Sequence, residues 1–218
     1  MELQTLVTAP PPSSEIDNLY NPILSWERKG LGMLTGMSGI YNLALHWEYA
    51  FAVSGFKIFN LDCAIRFNPF VITAETRKRR IPPEALLSNI LVQRAFTPYQ
   101  ILDALQAVAS RKNEENIYFL LAPCKQFFDG DVQEDEGRFL LDKMLLILER
   151  LHEQEVPVLV IESMKYTHPT FKAFFPKLAE ASADLWELKI ENKLSYLKVR
   201  KKSSSSPDTI ERIGNVQR

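Results

Sequence analysis

Phosphate chemistry is the first possibility that the residues raise. A short apolar run, Gly32 to Thr35, opens into Gly36-Met37-Ser38-Gly39 just ahead of a helical pattern. Backbone N–H groups at such a helix N-terminus attract anions, which makes Gly36, Ser38 and Gly39 candidate cofactor contacts. A working phosphate loop reads G-x-x-x-x-G-K-[ST]: glycines let N–H groups surround the phosphates, Lys neutralises charge and Ser/Thr holds Mg²⁺. Here Gly39 is followed by Ile40-Tyr41-Asn42. Neither the Lys nor the metal-holding hydroxyl is supplied.

Other chemistry-bearing groups are scattered. Asp129, Asp131, Glu134, Asp135 and Glu136 form an acidic run, but Gly130 falls in the wrong place for an EF-hand loop. A solvated loop and helix N-terminus is the bland reading, and divalent-ion binding the sharper one. His46, His152 and His168 stand far apart and do not pair with cysteines at zinc spacing. Cys63 and Cys124 are the only cysteines, both beside apolar stretches, and read as buried thiols in a reducing compartment. A Cys63–His46 nucleophile pair stays open, since such partners meet in space. Two basic runs, Arg77-Lys78-Arg79-Arg80 and Lys198-Val199-Arg200-Lys201-Lys202, are either solvated surface or nucleic-acid contacts. The aromatic residues fall mostly on apolar faces, so no stacking platform for single strands is evident.

These groups must be positioned by alternating strands and helices. After the first strand, Ile40 to Val53 carries apolar residues at helical spacing, and Phe56 to Leu61 reads as a second strand ending at Asp62. Pro69 to Arg80 is helix-like, a short helix follows Pro82-Pro83, and Ile90 to Phe96 reads as a third strand. Thr97-Pro98-Tyr99-Gln100 is a capping box that opens the next helix. Ile117 to Leu121 and Val156 to Ile161 are continuous apolar runs, as in strands buried on both faces. Between them, Glu134 to Glu153 is a long amphipathic helix with acidic residues at its N-terminus, where the helix dipole favours them. A helix around Phe171 to Ala181 is expected to kink or break at Pro176, and Leu185–Ile190 with Leu194–Val199 alternate as a hairpin. Strands separated by helices of this length imply parallel β-α-β crossovers, an α/β sheet covered on both faces.

Four pieces in order resemble the RecA/RadA recombinase ATPases, over about residues 25–200. They are Thr35 to Gly39 with Leu43-Ala44-Leu45; Leu61-Asp62-Cys63-Ala64-Ile65-Arg66-Phe67-Asn68-Pro69; Arg94 to Leu102; and Val158 to Ser163 with the closing hairpin. The resemblance implies a RecA-like, mostly parallel sheet flanked by helices, with a C-terminal β-hairpin. It also implies what has been lost. If Leu43-Ala44-Leu45 marks the family's helix, the phosphate loop is about two residues short. Ala64 stands where the family has its catalytic Glu, and Leu120-Leu121-Ala122-Pro123 replaces the stretch that ends in the Walker B Asp. Phosphoryl transfer rests on charge placement and positioning, so no catalytic residue, metal or cofactor is expected.

With 218 residues and a formal net charge of −1, the chain has room for one domain and no global field for polyanions. Residues 1–20, with Pro10-Pro11-Pro12-Ser13-Ser14, read as a flexible arm, 21–202 as the core domain and 203–218 as a disordered Ser-rich tail. Met1 to Asn18 has no basic segment leading into an apolar core, and no apolar run matches a membrane span, so the expectation is a cytoplasmic protein without membrane contact. The role that the resemblance implies is a non-catalytic RecA-like adaptor that binds a protein, with a RecA-like ATPase as the candidate partner, in DNA recombination or repair. The alternatives are a nucleotide-binding ATPase with a variant site, and a nucleic-acid-binding module acting through its basic patches.

Overall fold

The computed structural model describes residues 19–20, 22–110, 116–192, 194–201 and 210–213. Along the chain, β1 (Leu31–Gly36) leads to α1 (Ile40–Val53), β2 (Lys57–Asp62), α2 (Pro69–Lys78), the short α3 (Pro83–Leu87), β3 (Ile90–Arg94) and α4 (Pro98–Ser110). Then come β4 (Asn116–Leu121), a 3-10 turn (Lys125–Phe128), α5 (Glu134–Glu153), β5 (Val158–Ser163) and α6 (Pro169–Ala181). The chain closes with β6 (Asp184–Glu191), β7 (Leu194–Lys201) and β8 (Ile210–Arg212).

The strands form one sheet in the order β3-β2-β4-β5-β1-β6-β7-β8. Neighbours from β3 to β6 pair in parallel, and β6-β7-β8 are antiparallel. Every residue of β1 and β5 is buried, as the unbroken apolar runs require of strands covered on both faces.

Two apolar cores lie on the two faces. α1, α2 and α3 cover one, where Trp47 meets Trp186 edge-on at 5.7 Å and Trp26 meets Trp186 at 6.3 Å. Gly32 makes room for this group, because a Cβ there would lie 3.1 Å from the Trp186 ring. α4, α5 and α6 cover the other face, with Leu140, Met144, Leu148 and Leu151 of α5 turned inward.

Caps fix where helices begin. Asn68 Oδ1 accepts the Phe70 N–H ahead of α2 (3.1 Å), and Thr97 Oγ1 accepts the Gln100 N–H ahead of α4 (3.2 Å). The reciprocal bond of the capping box goes one residue further back than its standard form, from the Phe96 N–H to Gln100 Oε1 at 2.8 Å. The expected break at Pro176 does not interrupt α6, which continues through it as one helix with Phe171, Phe174 and Leu178 buried on either side.

Part of the segment read as a disordered tail joins the sheet. Ile210–Arg212 pair with Tyr196–Lys198 of β7, and Ile213 is fully buried, its N–H donating to the Ser195 carbonyl at 3.1 Å. At the other end Tyr20, within the segment read as a flexible arm, is buried, as are Ile23 and Trp26. Residues 1–18 of the arm and 203–209 and 214–218 of the tail lie outside the described residues.

Candidate functional site

The C-terminal ends of the parallel strands bring together the β1–α1 turn, the β2–α2 loop and the ends of β4 and β5. In open α/β sheets ligands bind along this edge. Gly36 is obligatory for packing, since a Cβ there would lie 2.5 Å from the Leu188 carbonyl oxygen of β6. Gly39, at φ 77°, is left-handed and starts α1 without a side-chain cap. Ser38 and Met37 between them are exposed. The predicted glycine loop is therefore a three-residue turn onto a helix N-terminus. Ile40 takes the place that G-K-[ST] gives to lysine, and it is buried under Gly36 rather than turned to the turn's mouth.

Asp62, fully buried at the end of β2, organises the next loop. Its carboxylate accepts N–H groups from Arg66 (2.8 Å), Phe67 (3.2 Å) and Ala64 (3.4 Å), and Arg94 Nε approaches it at 3.8 Å. The loop reverses through Ile65, whose φ is 53°. Arg66 then lies over the Tyr41 ring, 5.0 Å from its centroid, and so spans from the β2–α2 loop to the first turn of α1.

Glu162, at the end of β5, is the residue that sequence reasoning missed. It is fully buried and accepts N–H groups from Cys124 (2.8 Å) and Ser163 (2.9 Å). Burial pushes its carboxyl up to about 7, against the pull of those bonds and of Arg66. Burial, with Glu162 next, holds the Tyr41 and Tyr166 hydroxyls above their usual range, and it raises the Cys63 and Cys124 thiols well above theirs. Such thiols are poor nucleophiles.

These donors do not fit Mg-ATP. Both buried carboxylates spend their oxygens on backbone N–H groups, the nearby guanidinium of Arg66 is stacked on tyrosine, and β4 ends at Leu121 with Ala122 after it. Among the described residues no group of three or more His, Cys, Asp or Glu is placed to hold a metal ion.

The other candidates are dispersed. His46 Nδ1 faces Glu75 at 3.8 Å on the α1–α2 side, whereas Cys63 belongs to the core on the opposite face, so the Cys63–His46 pair is not brought together. His152 Nδ1 accepts the Leu31 N–H (3.1 Å), and His168 stacks on Phe128 at 5.3 Å.

In the first basic run, Lys78 pairs with Glu75 at 2.6 Å and Arg79 lies over Tyr20 and Tyr49, while Arg77 and Arg80 are exposed. In the second, Arg200 pairs with Glu187 and Lys198 is half-buried; the side chains of Lys201 and Lys202 lie outside the described residues. The first run, at the C-terminal end of α2, sits toward the opposite ends of the strands from Gly36–Gly39, whereas Lys198 pairs with Glu187, which is level with Thr35 of β1. In the acidic run, Asp129 pairs with Lys125, Glu134 with Arg138, and Glu136 accepts the Tyr99 hydroxyl.

What the edge offers in quantity is apolar surface. Met37, Ile65, Phe96 and Met164, each in a connection leaving the end of a parallel strand, and Phe70 in the first turn of α2 are 40–78% exposed. Among the described residues no helix is long and apolar enough to cross a membrane.

No family model and no curated protein matches the sequence. Among solved structures, one described as the crystal structure of the RadB recombinase is similar over 90% of this chain and 91% of that one, with a TM-score of 0.65 and 16% identity.

Proposed function

From a RecA/RadA-like fold, we propose that this chain is a non-catalytic adaptor of DNA recombination or repair, acting by binding another protein through the C-terminal edge of its sheet. The observation that carries the reading is the state of the β1–α1 turn. Where phosphoryl transfer needs a lysine and a metal-holding hydroxyl, Ile40 is buried and Arg66 lies over Tyr41. A RecA-like ATPase is the partner class that the fold suggests, and exposed apolar side chains along the edge supply a contact surface.

ATP turnover is expected to equal a buffer control, with or without single-stranded DNA. Activity that purifies with the protein and vanishes on changing Gly36 or Ser38 would overturn this. Asn42→Lys alone leaves turnover at background, because the turn stays short and no acid is placed for metal or water. Any nucleotide held by the open N–H groups of α1 binds weakly and with little Mg²⁺ dependence, which calorimetry with and without Mg²⁺ measures. For the adaptor role, affinity purification compares wild type with a variant reversed in charge at Asp129, Asp131 and Arg66. One specific partner, lost in the variant, is the expected result. Failure of wild type to recover any reproducible partner would sink the adaptor reading.

A further inference from the structure

We propose that the outer ridge of α5 is the interface of a homodimer, in which two copies of the chain pack their α5 helices antiparallel about a two-fold axis. The dimer does not depend on the adaptor reading. α5 is the middle helix of its layer. Its inward side chains pack on the sheet, Glu136 accepts the Tyr99 hydroxyl of α4, and Asp142 pairs with Lys177 of α6 at 2.9 Å. What remains is the ridge turned away from the sheet. At 3.6 residues per turn, Asp135, Phe139, Leu146 and Arg150 fall within about 60° of one another on that ridge. Phe139 is 58% and Leu146 64% exposed, and Asp135 and Arg150 are exposed with no ion pair among the described residues.

The order of these four residues identifies the occupant. They are symmetric about the midpoint between Asp142 and Lys143, with Asp135 and Arg150 equally far from it, and likewise Phe139 and Leu146. A second helix turned end for end therefore sets Asp135 against the partner's Arg150, and Phe139 against the partner's Leu146. Each contact occurs twice, as an isologous interface requires. Single exposed apolar residues are common on helices and call for no partner. A ridge that complements itself on reversal, acid to base and apolar to apolar, fits a second copy of the same chain.

The other charges of α5 either stand aside or agree. Arg138 is engaged by Glu134 and Asp142 by Lys177, and Lys143 lies over its own Phe139 ring, 4.4 Å from the centroid. Glu149 is half-buried at the side of the ridge. Glu153, exposed one turn beyond Arg150, falls level with the partner's Val132, just before that helix begins at a Gln133 whose side chain makes no cap. A carboxylate suits such a helix end. One helix pair is a small contact, so association is weak and reversible.

Sedimentation equilibrium of the full chain tests the interface. Wild type should form a dimer that stops at two copies and weakens as salt rises. Asp135→Arg and Arg150→Asp should each raise the dissociation constant about tenfold, because each sets like charges together twice. Mixed in equal amounts, these two variants should associate again at close to wild-type strength, since every such contact between them is then of opposite sign. Misfolding of either variant could not produce that recovery. Leu146→Gln leaves the charges intact and should weaken the dimer by about tenfold. A wild type that is monomeric at about 1 mM, assembly that continues past two copies, variants that dimerise unchanged, or a mixture of folded variants that does not recover overturns the interface. If thermal unfolding shows a charge variant to be destabilised, Leu146→Gln decides, and an unchanged dissociation constant there overturns it equally.

Discussion

Glu48 is a carboxyl with no route to water. It lies on α1, fully buried, and accepts a hydrogen bond from Asn60 Nδ2 of β2 (2.5 Å). Burial pushes its pKa up to about 8, so the folded chain keeps a proton that the unfolded chain releases near 4.5. Below the unfolded value both states are protonated and the contribution is complete. As pH rises from there to about 8, the unfolded state is favoured progressively, and stability falls. Glu162 acts in the same direction up to about 7. Urea unfolding at pH 5, 6, 7 and 8 should show stability declining by about 1.4 kcal/mol per pH unit for each such group. Glu48→Gln keeps the Asn60 bond and should remove one group's share of the slope; an unchanged slope would mean that Glu48 is ionised in the fold. Neither acid was legible as special in the sequence. Glu48 reads as one polar position on an amphipathic helix. Glu162 follows an apolar run, and that run reads as a strand ending at Ile161, whereas pairing with β1 carries the strand on through Ser163. Ile65 was equally silent, because left-handed backbone is signalled by Gly or Asn and here the side chain is branched.

Elements with strong local signals were read closely. α1 and α5 have the bounds that their apolar periods predict, and the hairpin of β6 and β7 extends its alternating segments by one or two residues. β8 left no such signal. Three residues are too few to show a period, and they become a strand because β7 offers an open edge and Ile213 finds a place in the core. Ile213→Ala should therefore cost about 2–5 kcal/mol in denaturant unfolding, although it lies in a segment whose composition suggests disorder. α6 offers the opposite change. Pro176 is exposed within an otherwise continuous helix, where it lacks an N–H and crowds the preceding turn. Pro176→Ala should stabilise the protein by about 1–3 kcal/mol, and a loss of stability would show that the helix is shaped around the proline.

For the whole molecule, charge is arranged so that much of it is satisfied internally. Among the described cations of the two basic runs, Lys78, Arg79 and Arg200 each have a partner within the chain, which leaves them less available to replace counterions. DNA affinity should be weak, with a shallow dependence on salt in a fluorescence titration; a steep slope would restore the nucleic-acid reading. The α/β class was legible because buried parallel strands must be apolar throughout, but the strand order was not, since it depends on partners distant in sequence. That order has a consequence for synthesis. β1 is made early, yet its two neighbours are β5 and β6: Leu31 waits for Val158, and Gly32 for Asp184. At ribosomal speeds the delay is on the order of ten seconds. Until β5 emerges this fully buried strand has neither lateral partner, and a nascent chain stopped before Asp184 could never give it both. Chaperone capture should therefore peak on chains that have emerged past β4 and not yet through β6, with release once the central strand is enclosed.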